Sequence, residues 1–248
     1  METTKKRYLL IDGIRGITII SMVSFHFCYD MFIVFGKNPQ WYSNTGVHIW
    51  QQSICWTFIF ISGFVWQWGK KANLKRGLLL NAFGFLITLV TFFAVPSETV
   101  WFGVLNFIGC AVLFMILLDK VLKNVPALLG FIFSFFLFLL FKNVNSGYLG
   151  FGELSLLQVP DWLYDIKVLT PLGFPFAGFA SSDYFSILPW MFLYLCGYFF
   201  GRIFEKHETW QQIAQIKIPV LSVVGQKSIW IYLIHQPVCM LVSFVLFH

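Results

Sequence analysis

Long apolar runs, separated by short polar or basic connections, set the pattern of this chain. A bilayer core about 30 Å thick is crossed by roughly 20 apolar residues in a helix, so each run predicts a membrane span. The predicted spans lie, to within several residues at each edge, near 8–34, 46–68, 77–95, 100–118, 125–142, 184–204 and 226–247. The expected fold class is therefore all-α: a polytopic integral membrane helical bundle with seven spans, forming a single domain over residues 1–248.

The connection at residues 143–183 is much longer than the others and contains no run of charged residues. It is apolar and is interrupted by Pro160 and by the sequence Gly173-Phe174-Pro175. Connections of this length are usually functional or contain short helices of their own. We therefore expect a partly re-entrant or interfacial lid on the outer face of the membrane.

Basic residues determine the expected orientation. If the spans alternate in direction, the basic clusters all fall on one side of the membrane, at residues 5–7, 70–76, 120–123, 202–206 and 217–227. In membrane proteins the cytoplasmic connections carry the excess of Lys and Arg. The N-terminus is therefore predicted to be cytoplasmic and His248 to lie outside, in a multi-pass protein of the cell membrane.

Composition excludes several classes of protein. The chain is 58% hydrophobic and 11% charged, whereas soluble domains carry about 25% charged residues. Its net charge of +6 lies in the connections between spans, and no basic face interleaved with aromatic residues is present, so nucleic-acid binding is not expected. Five cysteines without paired spacing favour reduced thiols over disulfides. The sequence has neither metal-ligand spacing nor a glycine-rich phosphate loop, so no metal is expected.

The first predicted span carries a stripe of ionisable residues. Arg15 and His26 are eleven residues apart, which is within about 20° of three full helical turns and corresponds to roughly 16 Å of rise. Asp12 and Asp30 fall on the same face, at about 40° on either side of His26. Ionisable groups are expensive inside a membrane, so a stripe of four indicates a functional site.

These four side chains are suited to group transfer. A neutral imidazole such as His26 can act as a general base toward a hydroxyl or amine, or can carry an acyl group itself. Asp30 is within helical reach of His26 and is expected to orient its ring. Arg15, with Asp12 beside it, suits the phosphorylated end of an extended donor. The alternative is that these groups only satisfy one another within the bundle.

Other basic and polar residues are candidates for binding a donor. Lys71, Lys75 and Arg76 follow the second span and either contact lipid headgroups or bind a cytoplasmic phosphate donor. His235 lies near mid-membrane in the last span, two residues before Pro237, which leaves one backbone carbonyl without its usual donor. His235 therefore either binds the donor or holds the bundle together.

A further set of residues is considered for contacts with an acceptor. Asp183, at the start of the sixth span, either caps a helix or binds acceptor at the outer mouth, and Trp190 follows it. Asn106 and Gln52 lie within spans, where hydrogen bonding between helices is the default role and acceptor binding is the alternative.

Several of these residues belong to motifs that resemble a known family. The segment Tyr8 to Gly16, with ten residues between Arg15 and His26, resembles the first helix of integral-membrane acyltransferases. Further matching segments follow in order at residues 25–30, 102–106, 183–190 and 231–237. Together they resemble a bacterial member of the heparan-alpha-glucosaminide N-acetyltransferase catalytic-domain family, which is more distantly related to the type 3 membrane acyltransferases.

The resemblance implies an enzyme that takes acetyl-CoA from the cytoplasm and delivers its acetyl group to a sugar hydroxyl or amine of a glycan across the membrane. It implies that His26 is the catalytic histidine and Arg15 a donor-side partner. Two positions depart from the family pattern. Asn106 stands where relatives often carry histidine. The animal lysosomal enzyme has asparagine at the place of His26 and a histidine in the following loop, where this chain has only His48.

Alternative functions remain at this stage. A transporter or flippase of a lipid-linked or anionic solute would use the same polar stripe as a relay for protons and substrate. A scaffolding membrane subunit would use it only for packing. The expected partners of an acyltransferase are membrane lipid and a glycan acceptor, and a homodimer is compatible with so small a bundle.

Overall fold

The structure, a computed structural model, describes residues 7–247 and is predominantly helical. The α-helices in this range are α1 (Leu9–Tyr29), α2 (Thr45–Phe64), α3 (Asn73–Ala94), α4 (Val104–Leu122), α5 (Ala127–Phe141), α6 (Trp162–Asp165), α7 (Ile187–Phe204), α8 (Glu208–Ile213), α9 (Pro219–Gln226) and α10 (Ser228–Phe247). Two short strands, β1 (Tyr148–Phe151) and β2 (Leu154–Gln158), form an antiparallel hairpin. The predicted fold class is confirmed, with this hairpin as the exception. Lys5, Lys6 and His248, which contribute to the predicted orientation, lie outside the described residues.

Within the described part of the chain, six helical segments are long and apolar enough to cross a membrane: Leu9–Val34, Thr45–Ala94, Val104–Leu122, Ala127–Ser146, Ile187–Phe204 and Ser228–Phe247. The predicted count of seven is not confirmed, because α2, a 3₁₀ turn at Val65–Ala72 and α3 form one continuous helical segment of 50 residues. The predicted spans 46–68 and 77–95 both fall within that segment.

Helix α1 is continuous from Leu9 to Tyr29, so Arg15 and His26 share one helix as predicted. A π-helical turn over Asp30–Val34 follows it, and here the N–H of Phe35 donates to the carbonyl oxygen of Asp30 at 2.9 Å. A π turn accommodates one extra residue and is frequent at functional sites. Asp30 therefore lies where the regular α-helix ends.

The chain forms two compact units. The first contains the residues up to Ile61 and those from Phe204 onward, and the second contains Ser62–Ile203.

In the first unit, α1 packs closely against α9. A Cβ atom at Gly16 would lie 2.1 Å from the carbonyl oxygen of Leu221, and one at Gly225 would lie 1.7 Å from that of Asp12. Small residues allow helix backbones in membranes to approach this closely. The predicted last span, 226–247, corresponds to α10, so α9 is an additional helix beside the N-terminal half of α1.

The apolar core of the first unit surrounds the other half of α1. Its buried members come from α1 and α2, and two side chains of α10 pack against them: Ile19, Met22, Phe25, Val47 and Ile54, with Ile231 and Tyr232. Burial of these side chains positions α10 against the part of α1 that contains His26.

In the second unit, basic connections meet at one end. Lys70 Nζ lies 2.8 Å from Asp119 Oδ2, and the Tyr198 hydroxyl donates to Asp119 Oδ1 at 2.6 Å. Arg202 Nη1 donates to the carbonyl oxygen of Leu122 at 2.8 Å. These contacts bring together three of the basic clusters that alternating spans place on one side, while the assignment of that side to the cytoplasm stays a prediction.

The long connection 143–183 also belongs to the second unit. It contains the β1–β2 hairpin, the short helix α6 and a 3₁₀ turn at Lys167–Leu172. Short helices were expected in this connection, whereas the hairpin was not. The position of this segment relative to a membrane, as a lid, stays a prediction.

Candidate functional site

The N-terminal end of α1 carries two guanidinium groups that share one carboxylate. Arg7 Nε donates to Asp12 Oδ2 at 2.6 Å, and Arg15 Nη1 donates to Asp12 Oδ1 at 3.0 Å. Asp12 is buried, while Arg7 and Arg15 are more exposed. Two guanidinium groups therefore share Asp12. Guanidinium groups are suited to hydrogen bonds with phosphate or carboxylate, so Arg7 and Arg15 are candidates for contacts with an anionic ligand.

Towards the other end of α1, His26 meets a histidine of α10. The ring centroids of His26 and His235 are 4.7 Å apart, with an interplanar angle of 63°. The Phe25 ring lies 5.9 Å from that of His26, and the Tyr232 ring lies 5.4 Å from that of His235. The two imidazoles that the sequence assigned to separate roles are thus in contact.

The hydrogen bond made by His235 fixes which of its nitrogens carries the proton. Its Nδ1 lies 2.6 Å from the backbone carbonyl oxygen of Tyr232. A carbonyl oxygen only accepts hydrogen bonds, so Nδ1 is the donor and Nε2 of the neutral ring carries the lone pair. This Nε2 is buried and has no hydrogen-bond partner within residues 7–247. A buried acceptor of this kind is available to take a proton from a substrate.

Asp30 and Gln236 form the adjoining polar contact. Gln236 Nε2 donates to Asp30 Oδ1 at 2.9 Å, and the Asp30 side chain is fully buried. The sequence predicts that Asp30 orients His26, but this hydrogen bond joins Asp30 to α10. It holds the end of α1 against α10. Because His26 lies on α1 and His235 on α10, this hydrogen bond positions the two histidines indirectly. The Gln236 Oε1 atom is buried and, in the described part of the chain, has no hydrogen-bond partner.

Arg76 occupies a different environment in the second unit. Its Nη2 donates to the hydroxyl of Ser62 at 3.1 Å, and the fully buried Tyr194 lies close to both residues. A Cβ atom at Gly63 would lie 2.0 Å from the carbonyl oxygen of Tyr194, so this close approach of α2 and α7 requires glycine. No carboxylate of the described residues forms an ion pair with Arg76. A guanidinium surrounded by neutral groups inside a helical membrane protein favours an anionic ligand.

The two lysines predicted to act with Arg76 are placed differently from it. Lys71 and Lys75 are both exposed, one just before and one within the first turn of α3. They remain candidates for contacts with lipid headgroups or with donor phosphates.

Asp183 caps a helix, although not the one that follows it. Its Oδ2 accepts a hydrogen bond of 3.1 Å from the N–H of Val104, the first residue of α4. Burial raises the pKa of the Asp183 carboxyl to about 6, and the hydrogen bond from Val104 acts in the opposite direction. Ser181 and Ser182 add hydrogen bonds to the backbone of Trp101 and Glu98. The surroundings of Asp183 are those of a structural cap.

Trp190 and Asn106, the next two candidates for contacts with an acceptor, make structural contacts. Trp190 is buried against Phe138 and Phe185. Asn106 Nδ2 donates to the carbonyl oxygen of Asn81 at 3.5 Å, joining α4 to α3. These contacts correspond to the structural alternative given for both residues.

Gln52 and His48 lie on α2. The Gln52 side chain accepts a hydrogen bond of 3.1 Å from Trp56 Nε1, one turn further along the helix. His48 is exposed in the first turn of α2. Neither the hydrogen bond of Gln52 nor the exposed position of His48 brings these residues to the histidine pair.

Sequence reasoning missed Gln236, Ser62 and Tyr194. Gln236 lies beside His235 and before Pro237, where a polar residue in a span is itself a signal. Ser62 and Tyr194 are single polar residues in apolar runs, and only the folded chain shows that both lie beside Arg76. Among residues 7–247, no three His, Cys, Asp or Glu side chains lie close enough together to hold a metal ion.

These features define a multi-pass helical membrane protein in which a partly buried histidine contacts a buried one. A model of the family described as heparan-alpha-glucosaminide N-acetyltransferase, catalytic, matches residues 7–237. The chain belongs to this family, which implies an acyltransferase. Neither the curated proteins nor the solved structures that were compared with the chain gave a match.

Proposed function

We propose that the chain transfers the acetyl group of acetyl-CoA to a sugar hydroxyl or amine of a glycan at the outer side of a bacterial cell membrane. The observation that carries this proposal is the contact between His26 and His235, in which one ring has a fixed tautomer and a buried lone pair. Membership of the acetyltransferase family supports the choice of reaction.

The chemistry follows from the available Nε2 atom of His235. This atom takes the proton of the acceptor while the acceptor oxygen or nitrogen forms a bond to the thioester carbonyl carbon. The carbon–sulfur bond breaks, and the coenzyme A thiolate takes the proton back from the histidine and leaves as the thiol. Atoms and charge balance without a further reactant.

A two-step route uses the same pair of rings. His26 attacks the thioester carbonyl carbon, and coenzyme A leaves as the thiolate. The acceptor then displaces the acetyl group from the imidazole while His235 takes the acceptor's proton and passes it to the thiolate, so both histidines end neutral. A rapid acid quench with radiolabelled acetyl-CoA separates the routes, because only the two-step route labels the protein before acceptor is added.

Each compact unit contains a separate candidate for binding the donor. In the first unit the candidate is Arg15, which together with Arg7 shares the Asp12 carboxylate. In the second unit the candidate is Arg76, which donates to Ser62, while Lys71 and Lys75 are exposed nearby in sequence. Guanidinium groups bind phosphate through two parallel hydrogen bonds, so both clusters suit the phosphates of acetyl-CoA.

The test is acetyl transfer by purified protein in proteoliposomes, using radiolabelled acetyl-CoA with glucosamine and methyl glucoside as acceptors. We expect His26→Ala to abolish transfer by the two-step route and to reduce direct transfer, because His26 packs against the proposed base His235, while the protein stays inserted and folded. His207→Ala is the matched control, because His207 is an exposed histidine of the same unit that stacks on Trp210. Undiminished transfer by His26→Ala would remove His26 from the mechanism.

The transporter alternative predicts a different result in the same vesicles. A transporter moves the solute without changing it covalently and gains no stability from acetyl-CoA. A ligand that binds only the folded protein must stabilise it. We therefore expect acetyl-CoA to raise the Tm of the wild type, and to raise that of Arg76→Gln less.

A further inference from the structure

The first unit contains an open pocket of about 480 Å³ between the end of α1 and the start of α2. Ligand pockets have volumes of roughly 300–1,000 Å³ and combine apolar walls with a few polar groups. The side chains that give this pocket its chemistry are two tryptophans and three amides: Trp41, Trp50, Asn38, Gln40 and Asn44.

The two tryptophan rings are held by contacts behind the pocket. Trp50 Nε1 donates to the hydroxyl of Ser21 at 2.7 Å. Trp41 packs against Phe25 at 5.5 Å and against Phe32 at 5.3 Å between ring centroids. The centroids of Trp41 and Trp50 are 6.4 Å apart, and the rings are nearly perpendicular. The pocket therefore has a fixed aromatic corner, and Trp41 remains partly exposed within it.

The amide side chains determine which ligand suits this corner. Asn38 and Gln40 are exposed, and each amide offers both donors and an acceptor. Asn44 accepts a hydrogen bond from the N–H of Gly46 at 2.8 Å, so its amide nitrogen remains available as a donor. Among residues 7–247, no charged side chain lines the pocket. Amides beside an aromatic ring suit a ring with C–H groups on one face and hydroxyl groups at its rim, namely a pyranose.

The pocket adjoins the histidine pair through a single side chain. Phe25 contacts both pocket tryptophans, with centroid distances of 5.5 Å to Trp41 and 5.3 Å to Trp50. The same ring lies 5.9 Å from that of His26. A sugar bound against Trp41 would therefore be separated from His26 by the Phe25 ring.

We propose that this pocket binds the acceptor as an uncharged pyranose, so that the acetyl group goes to a hydroxyl rather than to an amine. The inference rests on the proposed function for the identity of the ligand as acceptor. The described residues give the pocket no carboxylate to pair with a glucosaminium ion and no cation to pair with a uronic acid, so an uncharged sugar suits it better.

The experiment measures sugar binding without acetyl-CoA, by saturation-transfer NMR on the full protein in nanodiscs. The probes are methyl glucoside, glucosamine and glucuronate. We expect methyl glucoside to bind most tightly, and Trp41→Ala to weaken it about tenfold because an aromatic contact is lost. Trp230→Ala is the matched control, since Trp230 is an exposed tryptophan of the same unit.

Because Trp41 also packs against other aromatic rings, Asn38→Ala and Gln40→Ala provide variants that leave the core unchanged. Each is expected to weaken methyl glucoside binding. Unchanged binding in all three variants, or tighter binding of glucosamine or glucuronate, would overturn the proposal. Trp41-dependent binding without any acetyl transfer by the wild type would contradict the proposed function and leave the pocket standing. Acetyl transfer by Trp41→Ala with an unchanged KM for methyl glucoside would contradict the pocket as acceptor site and leave the proposed function standing.

Discussion

Both ends of α1 carry a buried aspartate beside nitrogen-containing side chains, yet they differ in how the charges are arranged. At the N-terminal end, Asp12 is bonded to two guanidinium groups. At the other end, Asp30 is bonded to a neutral amide, and the neighbouring His235 keeps an available Nε2. The first cluster is therefore held together by ion pairs, whereas on the proposed function the second provides His235 as the base.

The largest expected effect is on catalysis at the histidine end. His235→Asn keeps a donor for the Tyr232 carbonyl but removes the Nε2 lone pair, so transfer should fall by about 10³. Because His26 and His235 act together, the double variant with His26→Ala should be scarcely worse than either single variant. Single-turnover acetyl transfer measures this. If the loss of transfer rate in the double variant equals the product of the two single losses, the two rings act independently.

The next effect concerns the contact that holds α9 against α1. A side chain at position 225 would meet the backbone of Asp12, so Gly225→Ala should lower the free energy of unfolding by about 3 kcal/mol. Val223→Ala is the control, because Val223 is exposed on the same helix and its change should stay within about 0.5 kcal/mol. Unfolding in mixed micelles gives both values. Equal stabilities would mean that α9 does not approach α1 this closely.

At the N-terminal end of α1, Asp12→Asn should cost about 2 kcal/mol of stability, because two guanidinium groups lose their counter-ion. Arg7→Gln should cost less than about 1 kcal/mol, since Arg7 is the more exposed partner. Thermal unfolding in nanodiscs compares the two variants. A larger loss of stability in Arg7→Gln than in Asp12→Asn would contradict this ranking of the two variants.

The smallest effect is a pH dependence at Asp183. Its pKa is raised to about 6 by burial, so the folded protein binds a proton more readily than the unfolded chain. The stabilisation is therefore full below the unfolded pKa near 4 and is lost as pH rises through about 6. A shift of about two pKa units corresponds to at most about 2.7 kcal/mol. Because Asp183 is partly exposed, we expect the wild type to lose about 1 to 2 kcal/mol over this range relative to Asp183→Asn. Parallel stability curves for the two proteins would exclude a raised pKa.

The helical organisation could be predicted because its signal is local. Apolar runs locate α4, α5, α7 and α10 to within a few residues, and helical spacing correctly places Arg15 and His26 on one helix. The predicted fourth span begins at residue 100, whereas α4 begins at Val104. The reason is that Asp183, distant in sequence, caps the helix there.

The composition of the site could be predicted only in part, because its contacts are long-range. Asp30 and Gln236 are 206 residues apart in sequence, and no local pattern pairs them. The tautomer of His235 depends on one carbonyl, and the environment of Arg76 depends on residues of two other helices. The α9 helix was also missed, since eight residues opening with proline resemble a connection. The catalytic and binding roles of these residues stay predictions.

The most direct test compares the two ends of α1 in one assay. The rate of acetyl transfer per folded molecule, at saturating acetyl-CoA, is measured for His235→Asn and for Asp12→Asn. The account predicts a loss of about 10³ for His235→Asn with unchanged stability, and a rate near that of the wild type for Asp12→Asn with reduced stability. A fully active His235→Asn protein would contradict it.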